Sequence, residues 1–379
     1  MKSIYLDHAA TTPVHDEVIE AMVPVYQEIY GNPSSVHQFG RKARNVLDQA
    51  RRTAARSIGA KEKEIVFTSG GTEADNLAII GTALANQGKG KHVITTQVEH
   101  HAALHAVQYL EQNGFEITYL PVYEDGRIRI EDLESSLRED TVLVSIMTVN
   151  NETGAIQPMK AIAELLTSHQ AYYHSDFVQA YGLMDINVTE LPIDLLAVSS
   201  HKINGPKGVG FLYIREGTPV QSLAHGGEQE RKRRAGTENV PGIVGFQKAM
   251  ELTETERLDR KERYSHYKEL FLAELSKESV DFQINGIENQ TIETIVNISF
   301  PNMNVEALLT NFDLSGIAAS SGSACTAGSV EPSHVLTAMY GKGDARTVNS
   351  VRFSFGIANN GENVKEAAKR ISQIINRLK

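Results

Sequence analysis

From about residue 64 the chain alternates short apolar runs with amphipathic stretches of helical spacing, and that alternation constrains its fold more than any other feature. Short apolar runs separated by helical segments predict strands of a parallel sheet covered by crossover helices. The predicted strands lie at 64–69, 92–97, 116–122, 142–149, 172–176, 195–200 and 209–214, rich in Val, Ile, Tyr and Phe. Helices are predicted over 72–86, 102–113 and 160–168. After Pro241 a long connector helix runs to about Lys277, with Ile243, Phe246, Ala249 and Met250 at helical spacing. Beyond it the order changes to strand 294–300, helix 305–312, strands 317–320 and 351–355 and helix 363–378, a smaller α+β unit. The chain of 379 residues thus divides into a large domain, 13–256, and a small one built from 1–12 and 257–379.

Charge and cysteine usage narrow the function. With 47 acidic against 37 basic residues the formal net charge is −10, which disfavours nucleic acid and anionic membranes as partners. The single cysteine, Cys325, has no intramolecular disulfide partner, and the first residues lack the apolar core of a secretory signal, so a reducing, cytoplasmic location is expected. No stretch reaches the roughly 18 consecutive apolar residues of a membrane-spanning helix.

In open α/β sheets ligands gather beyond the carboxyl ends of the strands, so the polar residues there are the candidates. Ser69-Gly70-Gly71-Thr72-Glu73 reads either as a phosphate cradle at a helix N-terminus or as an ordinary tight turn and cap. Glu99-His100-His101 and His105 offer imidazoles for stacking, proton transfer or, in a remote zinc-hydrolase reading, metal ligation. No metal site is expected. Asp176 ends a strand as a helix cap or as the counter-ion of a cationic ring nitrogen, with Gln179 one turn on. Ser199-Ser200-His201-Lys202 closes an apolar strand, where partial desolvation lowers the lysine pKa and frees the neutral amine that Schiff-base chemistry uses. Cys325 lies in a run of small residues, 318–329, a setting for a nucleophilic thiolate that moves between a pocket and a second partner. The basic run Arg231-Lys232-Arg233-Arg234 reads as a solvated face or an anion-facing entrance.

Taken together these residues resemble the NifS-like (IscS-type) cysteine desulfurases of the class-V aminotransferase family, pyridoxal-phosphate enzymes of fold type I. The likeness runs through Tyr5-Leu6-Asp7-His8-Ala9-Ala10-Thr11-Thr12-Pro13, Gly31-Asn32-Pro33-Ser34-Ser35, Thr68-Ser69-Gly70-Gly71-Thr72-Glu73, Asn150-Asn151-Glu152-Thr153-Gly154 and Ser199-Ser200-His201-Lys202. It continues in Arg234-Ala235-Gly236-Thr237, Ser321-Gly322-Ser323-Ala324-Cys325 and Val351-Arg352-Phe353-Ser354.

The resemblance implies that Lys202 holds pyridoxal phosphate covalently, Asp176 pairs with its ring nitrogen, Gln179 bonds the ring hydroxyl oxygen and His100 stacks on the ring and shuttles protons. It implies a phosphate site of Gly71, Thr72, Ser199 and His201, with Thr237 supplied across a homodimer interface. Arg352, aided by Asn151, would bind the carboxylate of L-cysteine. Cys325, in a loop at about 318–332, would take the sulfur as a persulfide, leave L-alanine, and pass the sulfur to an acceptor protein such as an iron–sulfur scaffold or a tRNA thiouridylase. In such an acceptor complex Cys325 could transiently contact an iron–sulfur cluster. Selenocysteine lyase, another pyridoxal-phosphate aminotransferase, or a non-catalytic sulfur relay are the competing expectations.

Overall fold

The computed structural model describes residues 3–321 and 332–378. Strand β1 (Ile4–Tyr5) leads to helices α1 (Asp16–Glu28) and α2 (Gln38–Ser57). There follow β2 (Ile65–Thr68), α3 (Gly71–Asn86), β3 (His92–Thr96), α4 (His101–Gln112), β4 (Glu116–Leu120), α5 (Ile130–Ser136) and β5 (Thr141–Ser145). Next come α6 (Met159–Leu166), β6 (Tyr172–Asp176), β7 (Leu195–Ser199) and β8 (Gly210–Ile214). The unbroken α7 (Val240–Lys277) carries the chain to β9 (Gln283–Ile284), β10 (Ile295–Ser299), α8 (Val305–Leu314), β11 (Ile317–Ala318), α9 (His334–Tyr340), α10 (Arg346–Asn349), β12 (Ser350–Ser354) and α11 (Gly361–Leu378).

The apolar runs do form one seven-stranded sheet, in the order β2-β8-β7-β6-β5-β3-β4. It is parallel except at β8, which runs antiparallel to both neighbours. The reason is local: the link from Ser199 to Gly210 is too short for a crossover, so the chain has to turn back. The run predicted as a strand over 142–149 ends as a regular strand at Ser145. Past it the Ile146 and Thr148 N–H groups still donate to β6, to the carbonyls of His174 at 3.1 Å and Asp176 at 2.9 Å, but the Met147 N–H turns to the buried Glu99 carboxylate at 3.0 Å.

A second, three-stranded sheet, β12-β10-β9, packs with α8, α11 and the C-terminal half of α7 around Phe271, Phe300, Phe312, Phe353 and Phe355. Ile4 and Leu6 join this core through the parallel pair β1–β11. The segment predicted as a strand over 317–320 is shorter, with Ser320 bridging Arg352 singly. Helices α1 and α2, for which the apolar pattern offered no prediction, rest on the N-terminal part of the chain's longest helix and on a small cluster of Val25, Ala43 and Val240. The N-terminal segment between β1 and α1 runs over the ends of β6 and β7, where the Ala9 carbonyl accepts from Gln179 and Lys202.

Candidate active site

At the carboxyl ends of β6 and β7 a cavity of about 340 Å³ opens between the large sheet and β12. Asp176, the last residue of β6, is 6% exposed, and its Oδ1 accepts the Val178 N–H at 2.9 Å, which turns the chain away from the strand. Burial pushes its carboxyl up to about 6, although Lys202 pulls the other way. Three residues past β7, the Lys202 Nζ donates to the carbonyls of Ala9 and, at 2.9 Å, Ala10. Desolvation, reinforced by Arg352, lowers its pKa to about 7, so a substantial share of the amine is neutral near pH 7. Gln179 donates from Nε2 to the same Ala9 carbonyl at 2.9 Å.

His100 caps α4, its Nδ1 accepting the Ala102 N–H at 3.2 Å. Burial, with Lys202 adding, lowers its pKa to about 4, so the ring enters the cavity neutral. His201, next to Lys202, is likewise lowered to about 4 by burial. Arg352 on β12 faces the opposite wall: Nη1 donates to the carbonyl of Asn151 at 2.8 Å and Nη2 to Asp7 Oδ1 at 2.9 Å and Ser320 Oγ at 2.7 Å. Asn151 thus reaches Arg352 through its backbone. The Asn150 side chain holds that turn, accepting the N–H groups of Glu152 and Thr153 at 2.9 Å each.

A second chamber of about 420 Å³ adjoins the first at the N-terminus of α3 and shares Gly71, Thr72, Ser199 and His201 with it. Gly70 holds φ at +148°, open to glycine, and a Cβ on Gly71 would come within 2.9 Å of Val178 Cγ2. Bare backbone therefore lines the spot where the helix N-terminus favours an anion. Ser69, Lys207 and Gly208 complete the chamber. Of the basic run, Arg234 pairs with Glu73 at this rim, 2.7 Å apart. Among the described residues Thr237 lines neither chamber.

The structure brings Lys202, Asp176, His100, Gln179, Gly71, Thr72, Ser199, His201, Asn151 and Arg352 to one place, whereas Cys325 lies outside the described residues. Five polar residues of the cavity wall carried no role in the sequence: Asp7, Asp75, Glu152, Ser320 and His334. Asp75 is 1% exposed, and its Oδ1 stands 3.5 Å from His174 Nε2, whose ring in turn meets Ser145 Oγ at 2.9 Å. Burial and Asp176 push the Asp75 carboxyl well up, and burial raises Glu152 to about 7. Asp7 and Glu152 lie within the stretches that carry the family resemblance and Ser320 within the run of small residues 318–329, but none of the five was assigned a role there. His101 packs against His105 and His334, with ring centroids 5.3 and 5.0 Å away, and among the described residues no three such side chains are placed to hold a metal ion.

Comparison with known proteins returns one family over almost the whole chain: the aminotransferase class-V model matches residues 4–366. The chain is 53% identical, over the full length of both, to a Bacillus subtilis (strain 168) protein named "Putative cysteine desulfurase IscS 1". A solved NifS-like protein superposes with a TM-score of 0.93 at 35% identity, covering 99% of this chain and 100% of that one. A structure described as SspA in complex with cysteine gives a TM-score of 0.80 at 35% identity, over 93% of this chain and 98% of its own.

Proposed function

The chain belongs to the class-V aminotransferase family, and on that premise we propose that it is a pyridoxal-phosphate-dependent cysteine desulfurase. It converts L-cysteine to L-alanine and carries the sulfur away as a persulfide on Cys325. The observation that carries this reading is Lys202, three residues past the end of β7, sharing one cavity with Asp176 and Arg352.

The residues fit the cofactor end by end. Lys202 offers an amine to its aldehyde, Asp176 a carboxylate to its ring nitrogen, and the glycine-lined start of α3 a cradle for its phosphate, with Thr72, Ser199 and His201 as donors. Gln179 would bond the ring hydroxyl oxygen and His100 would stack on the ring face. The chemistry the cofactor supplies when bound is an electron sink for the substrate's Cα.

The protein's own groups do the rest. Arg352 binds the amino-acid carboxylate with charge-assisted hydrogen bonds, aided by the Asn151 turn. Lys202 Nζ, a substantial share of it neutral near pH 7, accepts the Cα proton. His100, neutral down to about pH 4 and lining the same cavity as Lys202, is available to move a proton. The Cys325 thiolate attacks the substrate sulfur; an S–S bond forms, the C–S bond breaks, and its electron pair with one proton ends on Cβ of alanine. The persulfide then passes to an acceptor thiol, in iron–sulfur cluster assembly or tRNA thiolation.

We further propose that the enzyme works as a cytoplasmic homodimer in which the partner subunit contributes its own copy of Thr237 to the phosphate site. A row of exposed apolar residues, Ile19, Val23 and Tyr26 along α1 with Tyr30, Val36 and Phe39 beyond it, supports a covered face here. Among the described residues no helix is long and apolar enough to cross a membrane. A separate core of Phe271, Phe300, Phe312, Phe353 and Phe355, joined by Ile4 and Leu6, supports a division into domains 13–256 and 1–12 with 257–379, while Val335, Leu336 and Met339 pack back onto the core of the large domain.

Purified protein supplied with pyridoxal phosphate is expected to show the absorption of a lysine-bound cofactor and to release alanine from L-cysteine in the presence of a thiol reductant, both lost in Lys202→Ala. Full cofactor loading without alanine release overturns the reading.

A further inference from the structure

Arg352 is almost fully buried, with its side chain 5% exposed, yet among the described residues its Nε has no hydrogen-bond partner. Its other nitrogens are committed. Nη1 is held by the Asn151 carbonyl, and Nη2 by Asp7 Oδ1 and Ser320 Oγ. The same Asp7 oxygen accepts from Ser320 Oγ at 3.2 Å, so both donors converge on one atom of the carboxylate. Asp7 itself stays at the cavity surface, its side chain 19% exposed, just beyond β1 and bridged to Ser354 at the end of β12.

This arrangement fixes how much negative charge the Arg352 end can take. A ligand carboxylate bound at the Arg352 guanidinium shares its single positive charge with Asp7, 2.9 Å from Nη2. Among the described residues the other lysine or arginine lining the cavity is Lys202, across at the β7 end, and the imidazoles of His100, His101, His201 and His334 are held toward the neutral form. A second anionic group on the same ligand would therefore meet the Asp7 carboxylate with no free cation among the described residues to offset it.

We propose that Asp7 is a specificity-determining residue: it admits one carboxylate to Arg352 and rejects amino acids whose side chains carry a second negative charge. The proposal rests on the reading of this cavity as the L-cysteine site. It selects an uncharged thiol side chain over a sulfinate or carboxylate of similar size, by repulsion as much as by attraction.

The test compares cofactor-loaded wild type with Asp7→Asn, which keeps the shape and an acceptor for Arg352, and with Asp7→Ala. The ratio of kcat/KM for L-cysteine to that for L-cysteine sulfinate is measured by alanine release, and dissociation constants for L-alanine and L-aspartate by calorimetry. Asp7→Asn is expected to shift both ratios toward the anionic ligand by about tenfold or more, the effect of removing one like charge from a partly screened pocket. Equal weakening of both ligands, with the ratios unchanged, would make Asp7 only a support for Arg352 and overturn the proposal. If the wild type fails to turn over L-cysteine, the desulfurase reading fails separately, and the two dissociation constants still decide the role of Asp7.

Discussion

Arg51 and Glu230, far apart in sequence, meet in a bidentate ion pair, with Nη1 to Oε2 at 2.7 Å and Nη2 to Oε1 at 2.6 Å. Both side chains are buried, and Glu230 Oε2 also accepts the Phe67 N–H at 2.9 Å. The pair ties α2 and β2 to a segment, Glu230–Lys232, whose three residues all hold φ between 44° and 68°. Three consecutive non-glycine residues in the left-handed region persist only where surroundings over-determine them, and this pair is the visible restraint.

Removing one partner leaves the other charge buried and unpaired. Glu230→Gln is expected to destabilise the protein by ~3–5 kcal/mol, and Arg51→Met combined with Glu230→Leu by much less. Urea unfolding of the three proteins checks this; equal losses in the single and double variants would contradict it.

The cradle at α3 makes a steric prediction. A methyl on Gly71 would press Val178 Cγ2 at 2.9 Å. Gly71→Ala is expected to weaken pyridoxal phosphate binding on the order of tenfold, about 1.4 kcal/mol, and Gly71→Ala with Val178→Ala to recover part of it. Titration of the cofactor-free protein reads both values, and an affinity unchanged in the single variant would remove the close approach from the argument.

His8 supplies a pH signature. Its ring packs edge-on to Tyr5 with centroids 5.0 Å apart, and burial lowers its pKa from the usual 6.5 to about 4. Between pH 6.5 and 4 the unfolded chain binds a proton at His8 that the folded chain does not, so folding stability falls as the pH drops through that window and the loss is complete below it. The contribution is at most ~3.4 kcal/mol. Denaturant midpoints at pH 7, 5.5 and 4.5 are expected to fall less steeply for His8→Gln than for wild type; parallel slopes would contradict the assignment.

The exposed face on α1 predicts its own outcome. Tyr26→Glu with Val36→Glu is expected to convert a dimer into a monomer in light scattering and to weaken cofactor binding, because Thr237 would no longer be supplied by the partner subunit. A wild-type protein that is monomeric at every concentration would contradict the homodimer.

Much of this architecture was legible because buried parallel strands are short and apolar and their ends are polar. Tyr172–Asp176 is read from sequence with its limits intact, and Asp176, Ser199 and Lys202 follow from the ends of such runs. Helix α2 was not, because it buries Ala43, Ala50, Ala54 and a paired Arg51 beneath a face crowded with arginine, and small residues carry little apolar signal. The antiparallel β8 was hidden for a different reason: an apolar run specifies burial but carries no direction, which here is set by the short turn after Lys202. Asp7 and Ser320 carried no role in the sequence because what marks them is their contact with Arg352, more than three hundred positions from Asp7.

The most direct test of the account follows sulfur. Release of alanine and sulfide from L-cysteine, with a thiol reductant and at matched pyridoxal phosphate occupancy, is compared between wild type and Cys325→Ala. The account predicts that the variant binds the cofactor and loses both products. Equal release by the two proteins would mean that sulfur leaves without Cys325, as in a lyase, and would contradict the persulfide mechanism.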